Sequence, residues 1–280
     1  MIQVFKSYFA PPSILISNGC IKKNQKAIIE KNTHKFSYYY AHEDVKEALE
    51  IIYNEKCAYC ESKTKHITSL QVEHYRPKAK VEKNLAHNGY YWLGYEWSNL
   101  LLACPKCNDK GAKGNKFPIS GVRVMVHSAK SLADKSPLID EEPLLLNPEI
   151  DNPREHFRFN TDGKIESDTI RGIKTIEICR LDRIDLNHNR QKEIIDDIFN
   201  SLKILIKGFT SSSSMPKETF IFMLKDIFNN LKKKENPSHS YSLLGWYTFE
   251  NFDKFVKAHI ETSFQKPIVD AWKKYRNEKL

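Results

Sequence analysis

The most informative segment of the sequence reads Cys57-Ala-Tyr-Cys60, then Glu73-His74-Tyr-Arg76-Pro-Lys78, then Trp97-Ser-Asn99-Leu, then Cys104-Pro-Lys-Cys107-Asn108. Two Cys-x-x-Cys pairs enclose a carboxylate–histidine dipeptide and an asparagine. Four thiolates saturate tetrahedral Zn²⁺ and leave no open coordination position, so a zinc ion held by them would be structural. The predicted ligands are Cys57, Cys60, Cys104 and Cys107. A redox dithiol and unrelated buried cysteines are the alternatives.

The composition indicates a soluble globular protein, because 40% of the 280 residues are apolar and 28% are charged. Six cysteines are too few for a disulfide scaffold of this size. The formal net charge is +9, and residues 57–127 hold eleven Lys and Arg against five Asp and Glu. Basic residues in such an excess usually belong to solvent-exposed surface that binds no specific ligand. The coincidence of this excess with the cysteine-rich segment favours a polyanionic ligand.

Neither a membrane span nor a signal peptide is expected. The sequence has no uninterrupted apolar run of about 18 residues. Its first residues lack a basic region followed by an apolar run and a small-residue cleavage site. The expected compartment is the cytoplasm.

The residues between the cysteine pairs suit the hydrolysis of a phosphodiester, which needs a deprotonated water and a Lewis acid on the phosphate. His74 can act as the base, because the ordinary pKa of histidine lies near neutral pH. Glu73 and Asn108 offer a carboxylate oxygen and an amide oxygen, which are hard ligands suited to Mg²⁺ or Mn²⁺. Asn99 is expected to bridge backbone groups and to fix the orientation of His74.

Four basic residues lie close to this set in the sequence and could hold phosphates. They are Arg76, Lys78, Lys113 and Lys116.

The order of these residues resembles the motif of the HNH (ββα-metal) endonuclease family. His74 matches the first histidine, Asn99 the central asparagine, and Asn108 the last position. By this resemblance His74 is the general base, Glu73 and Asn108 bind the divalent metal, and Asn99 braces the loop. Two positions depart from the commoner pattern, which has Asp before the histidine and His at the end. Both departures keep an oxygen ligand, and Asn115 is a candidate for an additional one.

The resemblance is closest to one branch of the family, the HNH component of Septu-type anti-phage systems (PtuB-like), which is also found with some retrons. It covers roughly residues 43–200. The motifs that carry it are Cys57-Ala-Tyr-Cys-Glu61, Glu73-His-Tyr-Arg-Pro-Lys78, Gly89-Tyr-Tyr-Trp-Leu93, Trp97-Ser-Asn-Leu-Leu101, Lys113-Gly-Asn-Lys-Phe-Pro118 and Pro143-Leu-Leu-Leu-Asn-Pro148. Membership implies a role in defence and a partner ATPase of the ABC/SMC-like type.

The predicted fold class is α+β, with a zinc-stapled ββα-metal core followed by a mainly α-helical C-terminal domain. We expect an irregular arm over residues 1–42 and the HNH domain over 43–130. Connecting segments and a hairpin should occupy 131–168, and the helical domain 169–280. That domain could dock a partner or simply form a second core.

The predicted function is that of a metal-dependent endonuclease with structural zinc and catalytic Mg²⁺ or Mn²⁺. DNA is the favoured substrate, and RNA is not excluded. The alternative is a non-catalytic, zinc-stapled adaptor that binds nucleic acid. The triplet Glu73, His74 and Asn108 distinguishes the two functions, because a protein that only binds does not need it.

Overall fold

A small antiparallel sheet lies within the segment of sequence quoted above. Strand β1 spans Gln71–His74 and pairs with β2, Leu100–Ala103, so that Glu73 lies opposite Leu101 and His74 opposite Leu100. All four residues of β2 are buried. Helix α3, Pro105–Asn108, follows β2 directly and begins with proline, which suits the first turn of a helix. The predicted strand–strand–helix core is therefore present.

The computed structural model describes residues 1–82, 84, 86–127, 132–211 and 215–280. The chain divides into two compact units. The first contains Met1–Phe157 and Ser167–Leu181, and the second Arg158–Glu166 and Asp182–Leu280. The predicted boundaries at 42 and 168 therefore do not coincide with unit boundaries. The predicted boundary at residues 130 and 131 lies outside the described residues.

The N-terminal region of the first unit is not irregular, and this prediction was wrong. Helix α1 spans Asn18–Glu30, and the hydroxyl of Ser17 accepts a hydrogen bond from the backbone N–H of Cys20. The sequence Asn18-Gly19 resembles a turn, but here the serine before it caps a helix. Helix α2, Glu43–Tyr53, begins with two acidic residues, which suit the positive end of the helix dipole.

A buried ion pair ties the N-terminal region to the sheet. The ammonium of Lys6 lies 2.8 Å from the carboxylate of Glu149 and also donates to the backbone carbonyls of Trp97 and Leu100. Tyr53, at the end of α2, donates its hydroxyl proton to Glu149 at 2.6 Å. This network holds the start of β2 against the first residues of the chain.

A second buried ion pair follows β1. The Arg76 Nε atom donates to Glu141 Oε2 at 2.8 Å, and both side chains are almost fully buried. The other carboxylate oxygen of Glu141 accepts from the Tyr90 hydroxyl and from the backbone N–H of Val124. Helix α4, Ile170–Cys179, completes this unit.

The remaining regular segments of the first unit are short 3₁₀ turns. They are Ser13–Ile16, Lys31–Thr33, Tyr38–Ala41, Tyr91–Leu93, Trp97–Asn99, Ile139–Glu141 and Pro153–Glu155.

The second unit is mainly helical, as predicted. It begins with a hairpin of β3, Arg158–Phe159, and β4, Ile165–Glu166, whose turn places Gly163 at a φ of +79°. Six α-helices follow in the described part of this unit: α5 (Ile184–Arg190), α6 (Asp197–Ser211), α7 (Lys217–Lys234), α8 (Ser242–Glu250), α9 (Phe252–His259) and α10 (Thr262–Arg276). A π-helical segment, Gln191–Asp196, joins α5 to α6. Phe228, Phe252 and Trp272 pack ring against ring in its core.

Within the ranges described above, no helix is both long and apolar enough to span a bilayer.

The Arg76–Glu141 pair gives a direct test of the first unit. Glu141→Ala leaves a buried guanidinium without its counter-charge, and we expect the free energy of unfolding to fall by about 3–5 kcal/mol. Denaturant unfolding of the full chain measures this loss. The matched control is Glu142→Ala, at an exposed neighbouring carboxylate, which should change stability by less than about 1 kcal/mol. Equal denaturation midpoints for the two variants would contradict the assigned role of the pair.

Candidate nuclease site

Four cysteine sulfurs converge where α2, β2 and α3 meet. The sulfur atoms of Cys57, Cys60, Cys104 and Cys107 all lie within 4.8 Å of one another and are buried. The backbone N–H of Ala58, between the first two cysteines, donates to the Leu102 carbonyl at 2.7 Å. That bond fixes the first cysteine pair against β2, directly before the second pair. The cluster has the composition and closeness of a site that could hold Zn²⁺.

The four thiols of the cluster differ in the direction of their pKa shifts. Burial raises the pKa of the Cys57 thiol well above its ordinary value, because a thiolate is costly away from water. Hydrogen bonds with Cys107 and Cys57 lower the pKa of Cys104 instead. Four thiolates so close together would repel one another, so a bound cation is what would allow all four to be charged.

His74 lies at the end of β1, and its tautomer follows from one hydrogen bond. Its Nε2 atom is 2.9 Å from the carbonyl oxygen of Gly94. A carbonyl can only accept, so Nε2 carries the proton and Nδ1 carries a lone pair, which accepts from the Lys78 ammonium at 3.2 Å. Burial lowers the pKa of His74 well below its ordinary value, and the nearby Lys78 ammonium adds to this effect. The ring is therefore neutral, as a general base must be before it acts.

Asn99 forms hydrogen bonds with two chain segments beside His74, one at Arg76 and one at Leu93. Its side-chain oxygen accepts from the backbone N–H of Arg76 at 2.8 Å, and its amide donates to the carbonyls of Arg76 and Leu93. The backbone N–H of Tyr75 donates to the Asn99 carbonyl at 2.9 Å. These bonds hold the residues directly after His74, as a bracing role requires.

Glu73, His74 and Asn108 line one cleft of about 650 Å³. The carboxylate of Glu73 forms an ion pair with Lys113, while burial raises the pKa of Glu73 and the lysine partly offsets this. The amide nitrogen of Asn108 donates to the Gln71 side chain at 2.9 Å, so its amide oxygen is not used in that bond. Carboxylate and amide oxygens in one cleft fit a hard divalent cation. Asn115 lines the same cleft.

Comparison with known proteins agrees with this geometry. The model of the HNH endonuclease family matches residues 57–114, which include both cysteine pairs, Glu73, His74, Asn99 and Asn108. The chain is 35% identical over 211 residues to Septu protein PtuB of Bacillus mycoides (strain KBAB4), a match that covers 69% of this chain and 68% of that protein. The chain belongs to the PtuB family.

Two further relatives carry Septu names. Septu protein PtuA of Bacillus mycoides (strain KBAB4) is 30% identical over 185 residues, which is 65% of this chain and 25% of that protein. Septu protein PtuB of Bacillus thuringiensis is 30% identical over 145 residues, which is 50% of this chain and 42% of that protein. No solved structure matches the chain.

Two of the four basic residues assigned to phosphates in this PtuB-family chain have other partners, and those two assignments are corrected. Arg76 is buried and pairs with Glu141. Lys113 is also buried and pairs with Glu73, and it donates to the His74 carbonyl. Both cations offset local negative charge instead of facing solvent.

The other two basic residues differ in position. Lys78 lines the cleft, with its Nζ atom 3.2 Å from His74 Nδ1 and 4.4 Å from the centre of the Tyr40 ring. Lys116 donates to the carbonyl of Ala112 at 2.6 Å, which caps that backbone turn. Its part in phosphate binding remains a prediction.

The cleft also contains basic residues that the sequence analysis missed. Lys46 of α2 and Lys110, which follows α3, both line it. Among the described residues, neither makes an ion pair, so both charges are available to a ligand. Lys110 could have been found from its closeness to Asn108. Lys46 carried no such signal, because only the fold brings α2 to the cleft.

The cysteine cluster predicts the effect of removing one sulfur. Cys104→Ser replaces a thiolate with a poor zinc ligand, so we expect the zinc content to fall from one ion per chain and the melting temperature to drop. Elemental analysis and thermal unfolding measure the two effects. Cys20→Ser is the control, because Cys20 is buried but is not part of the cluster. A Cys104→Ser protein that melts like the parent and keeps its zinc would contradict the assignment of the four cysteines as ligands of a structural zinc ion.

Proposed function

We propose that this PtuB-family chain is a metal-dependent endonuclease that hydrolyses phosphodiester bonds as the effector of a cytoplasmic anti-phage system. The observation that carries the proposal is His74 in its neutral form, with its Nδ1 lone pair in the cleft that Glu73 and Asn108 also line. His74 also lies in the segment that matches the HNH endonuclease family, which supports the same reaction.

His74 supplies the base in this reaction. Its Nδ1 atom takes a proton from a water molecule as the water oxygen attacks phosphorus, and the bond from phosphorus to the leaving oxygen breaks. The Gly94 carbonyl stabilises the imidazolium that results, because it already accepts from Nε2. Asn99 keeps the backbone after His74 in place while the proton moves.

Glu73 and Asn108 would hold the divalent ion, Mg²⁺ or Mn²⁺. When bound, that ion supplies a Lewis acid for the phosphate oxygens and the leaving group. The Lys113 ammonium keeps the Glu73 carboxylate in place through its ion pair. The four cysteines have a separate duty, which is to hold a structural Zn²⁺.

Lys78 is the basic residue best placed to contact the reacting phosphate. Burial lowers the pKa of Lys78 to about 8, and the face of the Tyr40 ring holds its ammonium beside His74 Nδ1. A phosphate in the cleft attracts this ammonium, which leaves Nδ1 open to the attacking water. Lys46 and Lys110 extend the positive lining of the cleft to neighbouring phosphates.

The partner is proposed from the names of the relatives and from the family resemblance. Relatives named PtuA and PtuB support a system with two protein components. We propose that the second component is an ABC/SMC-like ATPase and that the helical second unit docks it. Cleavage of labelled DNA and RNA with and without that ATPase tests this proposal.

Replacing His74 tests the nuclease assignment. His74→Ala removes the base, and we expect Mg²⁺- or Mn²⁺-dependent cleavage to fall by about 10²–10⁴-fold. Zinc content and unfolding temperature should stay close to those of the parent. His66→Ala is the control, because His66 is exposed and does not line the cleft. Undiminished cleavage by a folded His74→Ala protein would leave the non-catalytic adaptor as the better account.

The lysines of the cleft predict a change in salt dependence. We expect Lys46→Ala and Lys110→Ala each to weaken binding to single- or double-stranded DNA of any sequence and to lower the slope of log K against log salt by about 1. Lys22→Ala, at an exposed lysine of α1 that does not line the cleft, should leave the slope unchanged. Identical slopes for all three variants would remove Lys46 and Lys110 from the proposed interface.

A further inference from the structure

Asn108 offers an amide to the divalent ion, and the two ends of an amide are not alike. Its Oδ1 atom can bind a cation, whereas its Nδ2 atom is a donor that would repel one. The two ends have nearly the same size and exchange places by a half-turn about the Cβ–Cγ bond. The carboxylate of Glu73 has no such difference, since both of its ends are oxygens. An amide ligand therefore needs a partner that determines which end faces the ion.

The second cysteine pair holds the backbone of Asn108 but leaves its side chain free to turn. Asn108 is the last residue of α3, and its backbone N–H donates to the Cys104 carbonyl at 3.1 Å. This bond fixes where the side chain starts and not which end of the amide faces the cleft. Among the described residues, the side chain of Asn108 makes one hydrogen bond, which is its bond to Gln71.

Gln71 begins β1, the strand that also carries Glu73, and both residues line the nuclease cleft. Its Oε1 atom accepts from Asn108 Nδ2 at 2.9 Å. Gln71 also lies opposite Ala103 in the sheet, directly before Cys104, so the strand pairing fixes it close to the start of α3. Because the donor end of the Asn108 amide is turned toward Gln71, the acceptor end is left for a cation.

We propose that Gln71 is a positioning residue of the nuclease site, which keeps the amide oxygen of Asn108 turned toward the divalent ion. The assignment rests on the proposed function, in which Glu73 and Asn108 hold that ion. Residues that orient a metal ligand typically account for about 10–100-fold in metal affinity. Gln71 is exposed, so water competes for its bond, and we expect the lower end of this range.

The alternative is a purely structural bond that holds the end of α3 against the start of β1. The two roles differ in a chain whose ligand has two equal ends. Asn108→Asp gives such a ligand, because either carboxylate oxygen can bind a cation and Gln71 then has no end to select. A structural bond would matter equally with Asn or Asp at position 108, so the effect of a Gln71 variant in the two backgrounds separates the roles.

Mn²⁺ affinity tests the assignment without any need for cleavage. Gln71→Met keeps the length of the side chain and removes the acceptor, so the Kd of the zinc-loaded chain for Mn²⁺ should rise about tenfold. Electron paramagnetic resonance of free Mn²⁺ measures this Kd. The matched control is Gln25→Met, at an exposed glutamine of α1 that does not line the cleft, which should leave the Kd unchanged. In the Asn108→Asp background, Gln71→Met should change the Kd by less than about twofold.

Three results would overturn the role of Gln71 and leave the proposed metal site in place, as long as Glu73→Gln still loses Mn²⁺. The first is an equal Kd for the parent and Gln71→Met. The second is the same loss of affinity in both backgrounds, which would make the bond structural. The third is tighter binding by Gln71→Met, because the bond would then hold the Asn108 oxygen away from the ion. A parent chain that binds no Mn²⁺ would overturn the proposed metal site and this assignment together.

Discussion

The pairing of β1 with β2 is the constraint on which the site depends. At one end of β2 lie Cys104 and the cysteine cluster, and at the other lies Asn99, beside the backbone of Arg76. His74 pairs with Leu100 between these fixed points. A slip of one residue would move His74 away from Leu100 and from the Gly94 carbonyl that fixes its ring. Two strands of four residues each cannot secure their register alone, so the sulfur cluster and the Asn99 bridge are needed at the two ends.

This arrangement places several charged or polar groups where burial is costly. Glu73, His74, Arg76 and Lys113 are all buried in a small core. Each has a specific partner that lowers this cost: Lys113 for Glu73, the Gly94 carbonyl for His74, and Glu141 for Arg76. Lys113 links Glu73 to the backbone of His74, because its ammonium also donates to the carbonyl of His74. Polar groups concentrated in a core are expected at a functional site, where stability is given up for chemistry.

The local motifs could be predicted from the sequence, whereas the long-range pairings could not. The Cys-x-x-Cys spacing, the Glu73-His74 dipeptide and the acidic start of α2 act over a few residues, so they are visible in the chain. Arg76 was assigned to phosphate because its partner, Glu141, lies 65 residues away. Helix α1 was missed because Asn18-Gly19 resembles a turn and only the cap at Ser17 indicates a helix. Lys46 reaches the cleft through the packing of α2, which no local pattern encodes.

The claim that the chain holds two metals with different duties is tested most directly by manganese binding. Electron paramagnetic resonance of the zinc-loaded chain, titrated with Mn²⁺, counts the bound Mn²⁺ without any need for cleavage. One Mn²⁺ per chain is expected, and Glu73→Gln should abolish its binding while the zinc content stays at one ion per chain. Mn²⁺ bound equally well by the parent and by Glu73→Gln would contradict the assignment of the catalytic ion to this cleft.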